Sequence, residues 1–361
     1  MLGRIPELLG GVLQGIELFS GAGGLSLGAE QAGIDVRCAV EFASSPAESF
    51  RRNHSKTTVI EEDIREVSAD SIGDFSGPKI VFGGPPCQGF STSNQKTRNK
   101  DNSNNWLFEE FLRIVQEIEP NVVLFENVYG ITHTEKGYFC QQLRTCLRGM
   151  GYHVSEIVAD AASMGVPQRR KRYFCVGGKN REIQLDKYRR SEHVVTVGEA
   201  IGDLPSLSVG SKAELLPYSS APKSEYASRL RNGARESTGH LVTNNAAHIV
   251  ERYTHIPQGG NWQNIPKSMM GSYANVRRCH TGIYRRLSFD EPSVVLGNFR
   301  KNMLVHPRED RGLSVREAAR LQSFPDAYRF FGSIGKQQQQ VGNAVPPIMA
   351  QRIFEVILEQ T

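Results

Sequence analysis

The stretch ELFSGAGGLSLG, Glu17 to Gly28, predicts a strand, a glycine turn and a helix in succession. The segment Ile16–Phe19, apolar except for Glu17, reads as a short buried strand, and the helix is expected to continue to about Ala32. Glycines let a ligand approach the main chain, and the first turn of a helix offers free N–H groups. This order is typical of a nucleotide-type cofactor site, and a purely structural tight turn is the alternative explanation.

The spacing of these glycines argues against a dinucleotide site. It reads Gly21-x-Gly23-x-x-x-x-Gly28, because Ser26 stands at the third glycine position of the dinucleotide fingerprint. Glu41 ends the next strand in CAVEF and is suited to accept hydrogen bonds from ribose hydroxyls. Asp63, in EEDI, is suited to accept one from an adenine amino group.

Working outward, strands alternate with helices along the first half of the chain. Val36–Phe42, Lys79–Phe82 and Val122–Phe125 read as strands, and Trp106–Ile118 carries apolar residues at helical spacing. Such alternation predicts a mostly parallel α/β sheet that binds ligands at the carboxyl ends of its strands. Ile348–Leu358 reads as an amphipathic helix that packs back on this first domain.

Composition limits the class of protein. The 361 residues are 39% hydrophobic and 22% charged, without the apolar run of about 18 residues that a membrane span needs. The start of the sequence lacks the pattern of a secretory signal, so we expect a cytoplasmic protein. The six cysteines show no CxxC spacing, and neither a disulfide framework nor a metal site follows from them.

Charge is distributed unevenly. The chain carries a net +5, while residues 205–310 hold 14 Lys and Arg against 8 Asp and Glu. This stretch is also rich in Pro, Ser, Asn and Gly, which indicates a second, less regular domain. Its balance favours a polyanion partner, and a solvated basic face is the alternative.

A single cysteine stands at a stiff corner in GGPPCQGFS, residues 83–91. Pro85 and Pro86 fix the backbone before Cys87, directly after a predicted strand. A free thiol is only a few per cent thiolate at neutral pH, so a nucleophilic cysteine needs a held position and a helper. Glu126, in FENV at another strand end, is a candidate helper; an ordinary strand-end acid is the alternative.

A dense cationic run follows in PQRRKR, residues 167–172, before the predicted strand Tyr173–Val176. Taken alone, it is also compatible with a surface salt-bridge patch.

Taken in chain order, these motifs resemble those of the DNA (cytosine-5)-methyltransferase family of bacterial restriction-modification type. ELFSGAGGLSLG is similar to the family's S-adenosylmethionine loop, GGPPCQGFS to its Pro-Cys motif, ENV to its glutamate motif and QRRKR to its Gln-x-Arg-x-Arg motif. REAARLQSFPD (316–326) resembles the segment that supports the target domain, and QVGNAVPP (340–347) the closing motif at the cofactor pocket. The resemblance covers nearly everything except the basic stretch.

The resemblance implies a Rossmann-like methyltransferase domain with a mostly parallel sheet and a smaller, irregular target-recognition domain. The first would comprise residues 1–188 and 327–361, and the second residues 189–326. The implied partner is double-stranded DNA, bound by a monomer, and the implied cofactor is S-adenosyl-L-methionine. A cognate restriction endonuclease does not follow from the sequence.

The implied reaction methylates carbon 5 of a cytosine that is flipped out of a specific duplex sequence. The thiolate of Cys87 would add to carbon 6, which makes carbon 5 nucleophilic. Glu126 would bond N3 and the exocyclic amine, and Arg172 would contact O2 with Arg170 in support. The base must leave the stack because its ring carbon is not accessible inside the duplex.

The resemblance also implies two sets of binding residues. The cofactor contacts are Phe19, Gly21, Ala22, Gly23, Glu41, Phe42, Asp63, Ile64, Pro86, Leu107, Asn343 and Ala344. The DNA contacts are Gln88 and Ser91 in a mobile loop at 88–105, Arg277, Arg278, Arg285 and Arg286 as base readers or phosphate clamps, and Arg300 at the DNA backbone. Phe42 departs from the family pattern, since many relatives carry tryptophan there.

Three other functions fit parts of the sequence. A tRNA cytosine-5 methyltransferase shares the catalytic motifs, but the size and charge of the basic stretch favour duplex DNA. A catalytically silent DNA-binding relative is disfavoured because Cys87, Glu126 and Arg172 are all present. An NAD-dependent oxidoreductase is disfavoured by Ser26 and leaves Cys87 unexplained.

Overall fold

A computed structural model describes residues 11–86, 107–271, 282–297, 299–300 and 303–361. Of the predicted site residues, Cys87, Gln88, Ser91, Arg277 and Arg278 lie outside the described residues. No helix among those described is long and apolar enough to cross a membrane.

The chain divides into two compact units. The first comprises Met1–Met164, Lys171–Arg190 and Pro347–Thr361, and the second comprises Gly165–Arg170 and Ser191–Pro346. The domain boundaries given above are a functional division and stay a prediction. By packing alone, residues 327–346 group with the second unit, because the helix Ile334–Asn343 packs on the helix Val315–Leu321.

The described part of the first unit contains a seven-stranded sheet and most of the longer helices. The strands are β1 (Gln14–Leu18), β2 (Asp35–Val40), β3 (Thr58–Ile60), β4 (Lys79–Gly83), β5 (Val122–Val128), β6 (His153–Asp160) and β7 (Lys171–Gly178). The helices are α1 (Gly24–Ala32), α2 (Ser44–Asn53), α3 (Ala69–Ile72), α4 (Leu107–Ile118), α5 (Tyr138–Gly149) and, at the end of the chain, α11 (Pro347–Gln360).

The order of the sheet is β3-β2-β1-β4-β5-β7-β6. All pairs from β3 to β5 are parallel, and β7 runs antiparallel to both β5 and β6. This confirms the predicted mostly parallel α/β sheet. Connections leave β1 and β4 in opposite directions, so their adjacent carboxyl ends form the switch point at which such sheets bind ligands.

Packing of α1 and α11 closes one face of the sheet. Phe82 of β4 meets Phe354 of α11 edge to face, with 5.0 Å between ring centroids. A side chain at Gly28 would place its Cβ 2.3 Å from the Cβ of Ala350, so only glycine allows this approach of the two helices. The predicted C-terminal helix therefore exists and packs on the first domain, as the sequence indicated.

The described part of the second unit combines a small hairpin with short helices. The antiparallel strands are β8 (Lys212–Pro217) and β9 (Glu236–Leu241). The helices are α6 (Val197–Ile201), α7 (Glu225–Arg231), α8 (Ala247–Thr254), α9 (Val315–Leu321) and α10 (Ile334–Asn343). Buried ion pairs organise it: Arg320 of α9 donates to Asp326 at 2.6 and 2.8 Å and to Asp203 at 2.6 Å.

Candidate active site

The glycine loop after β1 is built for close approach by a ligand. Phe19, Gly21 and Gly23 all have positive φ, at 59°, 56° and 87°. Such a conformation is costly for phenylalanine, and strain of this kind clusters at ligand sites. Gly23 is the N-cap of α1 and has no side chain to cap the helix, which leaves N–H groups of the first turn for another acceptor.

Ser20 provides a polar group in this loop. The residue is 6% exposed, and its hydroxyl is buried without a hydrogen-bond partner among the described atoms. Buried polar groups are nearly always paired, so an orphaned hydroxyl in a ligand-type loop indicates a missing partner.

The structure explains why Ser26 stands at the third glycine position of the dinucleotide fingerprint. The hydroxyl of Ser26 donates to the carboxyl of Glu17, which is 2% exposed in β1. Burial raises the pKa of Glu17 well above its usual value. Ser26 therefore satisfies a buried acid beneath the loop, which explains the departure from the dinucleotide fingerprint.

Glu41 holds the glycine loop from the end of β2. Its two carboxylate oxygens accept from the N–H of Gly21 and the N–H of Ala43, both at 2.8 Å. Burial raises the pKa of Glu41. The next residue, Phe42, is 71% exposed, so its ring is available for stacking.

The remaining predicted cofactor residues of the first unit follow β1, β3 or β4, or begin α4. Asp63, just beyond β3, accepts from the side chain of Arg65 at 2.9 and 2.5 Å, and these bonds lower its pKa to about 2. Ala22 and Ile64 are buried, Leu107 begins α4, and Pro86 is exposed beyond β4. Asn343 and Ala344 belong to the second unit.

The end of β4 lies against the end of β5. A Cβ on Gly84 would stand 2.5 Å from Oε2 of Glu126, so glycine is required for the carboxylate to occupy this position. Asn127, buried in β5, donates from Nδ2 to the carbonyl of Pro85 at 3.1 Å. The main chain that leads to Cys87 is thus fixed beside Glu126.

Glu126 forms a buried ion pair with Arg172. Nε of Arg172 lies 2.8 Å from Oε1 of Glu126, and the two side chains are 9% and 10% exposed. The topology explains the pair: β7 runs antiparallel to β5, so its first residues meet the last residues of β5, with Val128 opposite Arg172. A carboxylate and a guanidinium are therefore presented together at the ligand-binding edge of the sheet.

The sequence model of the C-5 cytosine-specific DNA methylase family matches residues 13–359. The chain belongs to this family. The type II methyltransferase M1.HphI of Haemophilus parahaemolyticus is 35% identical over 350 residues, which cover 95% of this chain and 86% of that protein. M.DdeI of Desulfomicrobium norvegicum is 31% identical over 370 residues, covering 95% and 88% of the two chains.

Solved structures agree with the fold of this methylase. A prophage-encoded protein of E. coli, assigned as a DNA modification methyltransferase, has a TM-score of 0.77 at 28% identity and covers 96% of this chain and 99% of its own. S. pombe Dnmt2 has a TM-score of 0.62 at 16% identity, with 96% and 99% coverage, and shares the fold. The predicted family, fold class and enzyme class, a DNA (cytosine-5)-methyltransferase, are confirmed.

Arg170 of the methylase lies in the second unit, and its described bonds are to main-chain carbonyls. It is 1% exposed and donates to Leu296, Gly342 and Ala344 at 3.3, 2.9 and 3.0 Å. These contacts stabilise the turn that carries Asn343. Its predicted support of catalysis stays a prediction.

The described arginines predicted to contact DNA differ in availability. Arg286 is 5% exposed and donates to the carbonyls of four residues and to Asp310. All five of its N–H groups are used, so it stabilises the second unit and offers nothing to a phosphate or base. Arg285 is half-buried and Arg300 is exposed.

Three groups in the site were not predicted from the sequence. The orphaned hydroxyl of Ser20 and the bond from Asn127 to Pro85 lie within quoted motifs, but their contacts depend on tertiary structure. Gln322, inside REAARLQSFPD, is fully buried and bonded to Gln168. Its polar neighbours Arg320 and Ser323 give no local signal that this glutamine is buried.

Proposed function

We propose that the chain transfers a methyl group from S-adenosyl-L-methionine to carbon 5 of a flipped-out cytosine in a specific duplex DNA sequence. The observation that carries the proposal is the buried pair of Glu126 and Arg172 beside the main chain that leads to Cys87. Membership of the DNA methylase family supplies the reaction class.

The residues of the first unit fit this cofactor. The glycine loop and the N-terminus of α1 suit a carboxylate, and the Ser20 hydroxyl needs a partner. Glu41 keeps lone pairs for ribose hydroxyls beyond the two N–H groups that it accepts, and the exposed ring of Phe42 suits stacking on adenine. We propose Asp63, Ile64, Pro86, Leu107, Asn343 and Ala344 as further contacts on the resemblance.

When bound, S-adenosylmethionine supplies an electrophilic methyl group. The work of the chain is to make carbon 5 of cytosine nucleophilic, and we assign this to Cys87, whose thiolate adds to carbon 6. Glu126 holds a proton at N3 and accepts from the exocyclic amine, while Arg172 donates to O2. The addition places negative charge on N3 and O2, and preorganised groups at those atoms lower its cost. Once carbon 5 carries the methyl group, loss of the carbon 5 proton restores the ring double bond and expels the thiolate of Cys87.

The second unit is proposed to bind the duplex. Arg300 is exposed and Arg285 is half-buried, so both are candidates for contact with DNA. Phosphate contacts of this kind supply affinity that falls steeply with salt but carry no sequence information.

One experiment tests the whole proposal. The chain is expressed in a host without DNA methylation, and the DNA is sequenced after bisulfite treatment. We expect protected cytosines within one recurring word, and none when Cys87→Ser is expressed. Conversion of every cytosine in both samples would refute the activity.

A trapping experiment tests the covalent step. A duplex with 5-fluorocytosine at the target position should form an adduct that survives denaturing electrophoresis, because fluorine does not leave as a proton does. A tRNA that carries 5-fluorocytidine, incubated in parallel, should form none. Adduct formation by tRNA instead of DNA would replace the proposed substrate.

A further inference from the structure

The last turn of α10, Val341–Ala344, has main-chain carbonyls that its own helix cannot satisfy. The last carbonyl groups of any α-helix lack intrahelical partners and carry partial negative charge. In this chain the turn holds Asn343, which is exposed, and Ala344, which is half-buried. Both residues are proposed cofactor contacts, so the position of this turn matters for binding.

Two buried side chains supply the missing donors. Nε2 of Gln322 donates to the carbonyl of Val341 at 2.7 Å and to that of Ala344 at 3.4 Å. Nη2 of Arg170 donates to the carbonyls of Gly342 at 2.9 Å and Ala344 at 3.0 Å. Buried bonds from an amide and a cation therefore fix the main chain on both sides of Asn343.

Gln322 is itself held rigidly. Its side-chain Oε1 accepts from Nε2 of Gln168 at 2.8 Å, and both glutamines are fully buried. Gln168 also accepts from the N–H of Leu296 at 2.9 Å. Gln322 follows α9, which the ion pairs of Arg320 with Asp326 and Asp203 anchor.

The turn also packs closely on a neighbouring segment. A Cβ on Gly342 would lie 2.0 Å from the carbonyl oxygen of Gly297, so the two main chains are in direct contact. Displacement of the turn in that direction is blocked by backbone. The position of Asn343 is thus set by the bonds from Gln322 and Arg170 and by the contact of Gly342 with Gly297.

We propose that Gln322 is a positioning residue for cofactor binding: it fixes the Val341–Ala344 turn through its amide and thereby orients Asn343 and Ala344. This inference rests on the proposed function, in which that turn contacts S-adenosylmethionine. Gln322 touches neither substrate nor reacting atoms, so its loss acts on cofactor affinity and not on the chemical step.

The test compares two buried glutamines in the full-length chain. Gln322→Met keeps the length of the side chain but removes the donor to Val341. The matched control is Gln337→Met, because Gln337 is also buried and donates to a single carbonyl, that of Gly332 at 3.0 Å, near the start of α10. Calorimetric titration with S-adenosylmethionine, thermal melting and steady-state kinetics on unmethylated DNA are measured for both.

We expect Gln322→Met to weaken cofactor binding and raise the KM for S-adenosylmethionine about tenfold, the loss expected for one buried hydrogen bond of about 1.4 kcal/mol. The kcat at saturating cofactor and the KM for DNA should change less than twofold. Gln337→Met should lower the melting temperature comparably without changing cofactor affinity.

Two outcomes overturn the inference. Unchanged cofactor affinity in Gln322→Met, or equal weakening in both variants, would show that Gln322 stabilises the fold but does not position the cofactor contacts. A wild-type chain that binds no S-adenosylmethionine would instead refute the proposed function itself.

Discussion

The ion pair between Glu126 and Arg172 should be strongly coupled but of little net value for stability. At 2.8 Å and an effective dielectric constant of about 20, the attraction amounts to about 6 kcal/mol. Much of this is offset by the removal of both charges from water, because each side chain is at most 10% exposed. Removing one partner takes away the attraction that offsets the burial of the other charge, which typically costs about 3–5 kcal/mol.

We therefore expect Arg172→Met and Glu126→Gln each to lower the free energy of unfolding by about 3 kcal/mol. We place Glu126→Gln at the low end of this range because an amide oxygen at position 126 still accepts a hydrogen bond from Arg172. The double variant holds no buried charge there and should lie within about 2 kcal/mol of the wild type. The resulting coupling energy is at least about 4 kcal/mol, large for a double-mutant cycle.

Urea unfolding followed by circular dichroism measures the four free energies, and hydrogen exchange of β5 and β7 amides localises the change. The matched control is the pair of Arg352 and Glu355, at 3.0 Å with 26% and 31% exposure, whose coupling should stay below about 1 kcal/mol. Additive losses at Glu126 and Arg172, or equal couplings for the two pairs, would refute the reasoning.

Three further substitutions test other parts of the proposed site. Burial raises the pKa of Glu17 above its unfolded value of 4.5, so its stabilising neutral form is lost as pH rises through the folded pKa. The stability gained by Glu17→Gln, measured by urea unfolding, should grow from pH 5 to pH 8, and a constant difference would contradict this. Gly84→Ala should displace the carboxylate of Glu126, because the added Cβ would stand too close to it. We expect kcat in methyl-transfer assays to fall at least tenfold with cofactor affinity unchanged. A normal kcat would contradict the packing argument. Phe42→Ala should weaken S-adenosylmethionine binding about tenfold in calorimetry without a change in melting temperature, because the ring is exposed and stacks only on ligand; unchanged affinity would remove Phe42 from the cofactor contacts.

Local signals in the sequence predict five of the seven strands described in the large sheet, but not β3 and β6. The segment Ile16–Phe19, apolar except for Glu17 and followed by glycines, predicts β1 and its loop, and Trp106–Ile118 predicts α4. These elements follow from hydrophobic period and turn chemistry, which are properties of neighbouring residues. Three of the family motifs, the glycine loop, GGPPC and ENV, stand at the ends of such strands, and the structure has their described parts there.

Tertiary pairing was beyond the same signals. The position of Arg172 beside Glu126 depends on β7 running antiparallel to β5, and a strand's direction in a sheet is not encoded in its own residues. Arg286 illustrates a second limit, because the same guanidinium suits a DNA phosphate and a set of main-chain carbonyls. Only burial distinguishes the two uses.

The contact between Gly28 and Ala350 has a consequence for how the chain is made on the ribosome. The first unit is assembled from three separate stretches, and the last of them, Pro347–Thr361, is translated after the entire second unit. Until α11 emerges, α1 of the nascent chain lacks the helix that covers it. While the ribosome translates residues 191–346, the apolar face of α1 therefore stays exposed. Folding of the first unit is therefore completed only after the second unit has been translated.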